Sequence, residues 1–189
     1  MKRLLIFLLI TSCYRTLSSQ QSCNFVQNND KQRLHWNNKF PIKIHIDTSV
    51  PEIAYPAINR AIIEFNNNAI QSSQIFLPAN DSYVTIYWRN TWDGAVPNEQ
   101  ATTTLSFVGS EIYKADIQID AYNFTFNYDN TNDFSDVDLE SLIVHELGHV
   151  LGLAHTSKLG SVMHPTLTNG EVRRQLGLVD INDLACEYK

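Results

Sequence analysis

The chemistry in this chain is concentrated in residues 145–155, which read His145-Glu146-Leu147-Gly148-His149-Val150-Leu151-Gly152-Leu153-Ala154-His155. His145 and His149 stand four apart. On an α-helix that is about one turn, or roughly 6 Å of rise, so both imidazoles leave the same face. Two such nitrogens suit one zinc ion at about 2.0–2.1 Å. Gly152 can end the helix in a left-handed conformation at low steric cost, and the chain can then double back to deliver His155 as a third ligand. Three protein ligands leave a fourth position open, which separates a catalytic zinc from a closed structural one. Glu146 projects beside the pair and can hold a water without being a ligand. A zinc ion there lowers the pKa of water toward about 7 and polarises a substrate carbonyl. Glu146 is then the general base, taking a proton from the attacking water and passing it to the leaving amine. No serine lies in a nucleophile-elbow pattern. The implied reaction is hydrolysis of a peptide bond by a metal-activated water.

Three rival readings share these residues. One is a core helix with incidental histidines. Another is a zinc-holding module for binding or adhesion that does not catalyse, although Glu146 would then be dispensable. The last is a narrow-specificity processing protease or toxin that acts on one partner.

Residues 141–166 resemble the zinc-binding region of the metzincin clan, and most closely that of the matrixins. The run Gly160-Ser161-Val162-Met163-His164-Pro165 resembles the matrixin Met-turn. The resemblance implies a zinc metalloendopeptidase in which Met163 forms an apolar floor below the metal and is not a ligand. It also implies an α/β fold: a twisted mixed sheet, two long helices above the cleft, and a small C-terminal subdomain ending in a helix. Astacins and serralysins carry a Tyr ligand two places after the Met, and here that place is Pro165. Thr156 stands where animal matrixins have Ser. A structural-zinc His of those proteins falls at Gln118, and His35, His45 and His164 form no compensating cluster, so one zinc is expected. Calcium is possible but unsupported, because Asp120 alone does not make a site of six to eight oxygens. His164 could line the cleft and hydrogen-bond a tetrahedral intermediate, and Pro165 would begin one wall of the pocket that follows the cut bond.

The remaining sequence must position these groups. Hydrophobic content of 43% and charged content of 18% describe an ordinary globular chain long enough for one domain. With a net charge of −6 and no basic block beyond the N-terminus, no nucleic-acid partner is expected. A protein or peptide substrate and a monomeric state are expected. Lys2 and Arg3 precede an apolar stretch at 4–10 that is too short to span a bilayer. Ile10-Thr11-Ser12-Cys13 resembles a bacterial lipobox. Residues 1–12 are therefore expected to be a signal peptide, Cys13 the lipidated first residue, 13–38 a tether with a short ordered end, and 39–189 the catalytic domain. The chain would be an exported lipoprotein anchored to the outer membrane or cell surface; the alternative is an ordinary secreted protein. In an oxidising location Cys23 and Cys186 can pair, tying the N-terminal arm to the C-terminal helix. The competing role for Cys23, an inhibitory thiol on the zinc, lacks the family's propeptide motif.

Residues 41–47 alternate Ile42, Ile44 and Ile46 with Lys43, His45 and Asp47, a half-buried strand with His45 on its polar face. Ile58, Ala61, Ile62 and Phe65 form a helical stripe within 53–67, with Pro56 tolerable only in the first turn. Strands are expected at 83–88, 101–108 and 115–121, with a turn at 92–94. By resemblance 101–107 is the sheet edge that pairs with an extended substrate. Asp136 or Asp138 caps the zinc helix, whose buried side carries Leu139, Leu142, Ile143, Leu147 and Val150, and Asp180 caps a final helix.

Overall fold

The computed structural model describes residues 23–37, 40–68, 74–92, 99–129 and 135–188. Cys13, the basic and apolar N-terminal segment, and Asp93 and Gly94 of the expected turn lie outside them. Among the described residues no helix is long and apolar enough to cross a membrane.

Five strands form one mixed sheet in the order β2-β1-β3-β5-β4. They are β1 (Ile42–Ile46), β2 (Phe76–Pro78), β3 (Val84–Arg89), β4 (Ala101–Val108) and β5 (Glu111–Asp120). All neighbours are parallel except β4, which runs antiparallel to β5 at the edge. Alternation places Ile42, Ile44, Val84, Ile86, Ile117 and Ile119 on the buried face. The strand expected from residue 115 begins at Glu111, because Glu111, Ile112 and Lys114 pair back onto Val108, Phe107 and Ser106 across a tight hairpin. That hairpin turns at Gly109, whose φ of 61° favours a residue without a Cβ.

α1 (Tyr55–Asn67) follows a short 3₁₀ turn (Glu52–Ala54) and carries Pro56 in its first turn, where no backbone bond is lost. Its stripe of Ile58, Ala61, Ile62 and Phe65 is buried, and Phe65 meets Phe76 edge-on with ring centroids 5.7 Å apart. α1 packs beside α2 (Leu139–Val150), the helix that bears the first two histidines. A two-stranded parallel ladder, β6 (Phe126–Asn127) with β7 (Val137–Asp138), leads into α2. The C-terminal part closes with α3 (Leu178–Ala185). This is the α/β architecture expected from the resemblance.

Two further boundaries move. The ordered part of the N-terminal arm is longer than a tether through residue 38 allows. Phe25, Leu34 and Trp36 are buried, and the arm pairs with the loop after α2 and with β5. Three apolar residues scattered in a polar run carry no periodicity, yet each finds a place in the core. Trp36 Nε1 donates to Val150 O at 2.7 Å and Tyr188 Oη donates to Leu151 O at 2.7 Å, satisfying carbonyls that the end of α2 leaves open. The final helix begins at Leu178, so Asp180 lies inside its first turn instead of before it. Its carboxylate reaches back to accept from Gly177 N–H at 2.9 Å.

Candidate metal centre and cleft

α2 is set at both ends. Of the two possible caps, Asp138 takes the position, accepting from Ser141 N–H at 2.9 Å and from Ser141 Oγ at 2.6 Å. Asp136 instead accepts from Thr125 Oγ1. Arg174 forks onto both oxygens of Asp138 and lies 3.5 Å from Glu140. Burial alone would raise the Asp138 pKa, but Arg174 and Ser141 more than offset it and hold the carboxyl below its ordinary range. At the other end Gly152 takes a φ of 91°, and the turn closes through Gly152 N–H to His149 O and Leu153 N–H to Gly148 O. A Cβ on Gly152 would stand 2.4 Å from Leu34 O, so the arm demands glycine here as well as the turn.

His145 and His149 share one face, and His155 arrives from the loop. Carbonyls accept from the Nδ1–H groups of the first two: Val162 O from His145 and Leu153 O from His149, both at 2.8 Å. A carbonyl can only accept, so this fixes the tautomer and leaves each Nε2 with its lone pair free. The three Nε2 atoms lie 3.0–3.1 Å apart. Two nitrogens about 2.0–2.1 Å from one tetrahedral ion stand about 3.3–3.4 Å apart, so the spacing suits a shared zinc to within a few tenths of an ångström. Convergent lone pairs repel unless a cation lies between them. Protonation is the poor alternative: burial and then His149 push His145 down to about 3, and the same causes lower His155. Among the described residues no other group of three His, Cys, Asp or Glu side chains is placed to hold a metal.

Glu146 is 4% exposed at the cleft wall. Burial raises its pKa, opposed by His149 and by Thr103, whose hydroxyl donates to Glu146 Oε2 at 2.5 Å. Thr103 lies on β4, so the edge strand and the carboxylate are physically joined. Sequence alone offers no signal for this pair, since neither residue type nor spacing links positions 103 and 146.

Met163 is buried directly under α2: a Cβ on Gly148 would meet its Sδ at 2.3 Å. The Met-turn is held from below by Asp180, which accepts from Ser161 Oγ and from Val162 N–H at 3.0 Å. Asp180 is 1% exposed, and its supporting role is one that its reading as a helix cap missed. Arg173 donates to the carbonyls of Val162, His164 and Thr166, stiffening one wall of the cleft. His164 and Pro165 lie in that wall with Thr166 and Leu167, opposite β4, around a cavity of about 550 Å³. His164 is half-buried, with Nδ1 beside Thr166 Oγ1 at 3.2 Å.

Elsewhere the candidates are accounted for. Cys23 and Cys186 are joined as a disulfide with Cα atoms 6.2 Å apart, so the Cys23 sulfur is committed away from the zinc position. Gln118 accepts from Arg89 Nε. Asp120 accepts from the N–H groups of Tyr122 and Asn123 and from Asn123 Nδ2, which uses its oxygens for a turn.

A mixed sheet whose antiparallel edge borders a helix and the loop after it, which together converge three imidazoles, frames a candidate metal centre. The matrixin peptidase profile matches residues 80–189, more than half of the sequence, and the chain belongs to that family. It is similar to metalloendoproteinase 2-MMP of Arabidopsis thaliana, 46% identical over 52 residues, which is 28% of this chain and 14% of that protein. Metalloendoproteinase 4-MMP of the same plant is 39% identical over 61 residues, 32% and 18% of the two chains. An interstitial collagenase of Aquarana catesbeiana is 44% identical over 52 residues, 28% and 13%. The matched segments thus span less than a fifth of these relatives.

Proposed function

We propose that this protein is a zinc-dependent endopeptidase acting on extended protein segments. The observation that carries the reading is the convergence of the three Nε2 atoms in a cleft that also holds a buried carboxylate and the sheet's edge strand β4. His145, His149 and His155 would hold one zinc, which when bound supplies carbonyl polarisation and a water of lowered pKa. Glu146 takes a proton from the attacking water at a carboxylate oxygen and delivers it to the leaving nitrogen. Burial raises its pKa, the direction that favours a carboxyl able to hold the proton between the two transfers. The Thr103 hydroxyl orients that carboxylate. β4 offers main-chain donors and acceptors to an extended substrate, and 164–167 wall the pocket for one substrate side chain.

The test pairs two measurements on the purified protein: zinc per chain by elemental analysis, and cleavage of a quenched peptide library, for wild type and Glu146→Gln. One zinc in both with cleavage only in the wild type supports the reading. One zinc in both with no cleavage in either would turn the assignment toward a zinc-holding binding module or a single-partner processing protease.

Export and anchoring belong to the same proposal and rest on the sequence around Lys2, Arg3 and Ile10-Thr11-Ser12-Cys13. Residues 1–12 are removed and Cys13 becomes the lipidated end of an anchor on the outer membrane or cell surface, with the domain working as a monomer. More than one acyl chain makes such anchoring stable. Mass spectrometry of the natively expressed protein should find an acylated N-terminal Cys13. An unmodified N-terminus elsewhere would support secretion instead.

A further inference from the structure

The three histidines are not held alike. His145 and His149 sit on a rigid helix with Nδ1 anchored to a carbonyl. His155 is the exposed member, on a loop, and among the described residues no hydrogen bond fixes its Nδ1. Its position is therefore set by its backbone. Thr156 N–H donates to Met163 O at 3.0 Å on the far side. On the near side the turn that ends α2 holds residues 152 and 153, and the N-terminal arm holds Ala154, the residue next to His155. Val26 N–H donates to Gly152 O at 2.8 Å and Ala154 N–H to Asn24 O at 3.0 Å. Asn24 Nδ2 donates to Ala154 O at 2.6 Å and to His155 O at 3.1 Å. One residue thus grips the two peptide units around the third histidine with its side chain and the unit before them with its backbone carbonyl.

Asn24 is itself well secured. Cys23, the residue before it, is bonded to Cys186 at the end of α3. Phe25, the residue after it, is buried and bridges Leu153. α3 also carries Asp180, which supports the Met-turn that holds Thr156. Both supports of the His155 loop therefore converge on one short helix, one through a covalent bond and one through a carboxylate.

We propose that the N-terminal arm is a positioning clasp for His155, with Asn24 as its gripping residue and the Cys23–Cys186 disulfide keeping Asn24 in register. The inference rests on the reading of His155 as a zinc ligand. The clasp acts on metal retention: without it His145 and His149 still bind, but the third ligand wanders and the ion leaves faster. Outer partners of metal ligands typically govern affinity by about 10–100-fold.

The test measures zinc release into an excess of chromogenic chelator for the full protein, wild type, Asn24→Ala, His155→Ala and the double variant. His155→Ala should release zinc faster than wild type. Asn24→Ala should release it about tenfold faster, and adding Asn24→Ala to His155→Ala should change nothing further, because the clasp works only through that histidine. Release from Asn24→Ala within twofold of wild type overturns the clasp. So does equal acceleration in both backgrounds, which marks general loosening of the fold. If His155→Ala releases zinc no faster than wild type, the zinc-ligand reading fails and the clasp with it. Should Asn24→Ala fold poorly, the Cys23→Ser, Cys186→Ser pair carries the same test, with faster release expected only where His155 is present.

Discussion

Gly148→Ala sets two effects of known size against each other. Gly148 lies inside α2 between the two helical histidines, where replacing glycine by alanine should stabilise a helix by about 0.8–1.0 kcal/mol. The added Cβ, however, would stand 2.3 Å from Met163 Sδ and 3.2 Å from its Cε. An ordinary contact is at least an ångström longer than the first of these. Met163 is 1% exposed, so its sulfur cannot swing into solvent. Overpacking of this kind costs about 1–3 kcal/mol. The clash should therefore cancel or exceed the propensity gain, giving a net change between about zero and 2 kcal/mol of destabilisation. Urea unfolding of the zinc-free, disulfide-intact protein, followed by far-UV circular dichroism, measures this directly. The same substitution in a Met163→Ala background meets no sulfur and should stabilise by about 1 kcal/mol. The difference between the two backgrounds isolates the contact. If Gly148→Ala alone stabilises the protein by that full amount, Met163 does not press on α2 and the reasoning is refuted.

Thr103→Val keeps the shape of the side chain and removes the hydroxyl that orients Glu146. Turnover should fall about tenfold or more with KM and zinc content little changed, and Thr103→Ser should recover most of it; an unaltered kcat would release Thr103 from that role. Asp138→Asn weakens the pair between buried Asp138 and half-buried Arg174 and should cost about 1.5–3 kcal/mol in chemical denaturation; a loss under 1 kcal/mol would mean Glu140 takes over Arg174. The folded pKa of Asp138 lies below its unfolded value, so its contribution is full above the ordinary carboxylate pKa of about 3.9 and is lost as pH falls through the folded value. Acid titration of stability should accordingly be shallower in Asp138→Asn than in wild type below about pH 4, and identical slopes would contradict the depressed pKa.

What the sequence determined by itself was whatever depends on local period. The alternation at 42–46 and 84–88, the stripe Ile58, Ala61, Ile62 and Phe65, and the four-residue step from His145 to His149 each specify a face, because a strand or helix repeats every two or 3.6 residues. Gly152 likewise announced the reversal toward His155 through its backbone freedom alone. β2 and the β6–β7 ladder escaped this logic, since two or three residues cannot display a period and Pro78 reads as a breaker. Only the tertiary structure decided what meets at the site from far along the chain. Thr103 reaches Glu146 across 43 positions, Ser161 and Val162 rest on Asp180, and Asn24 grips a loop 130 residues away. Such contacts arise when the sheet, α2 and α3 pack, and packing responds to shape and buried polar groups that no local pattern encodes. The three histidines that converge were therefore written in the sequence, while the groups that hold them in place became visible only in the folded chain.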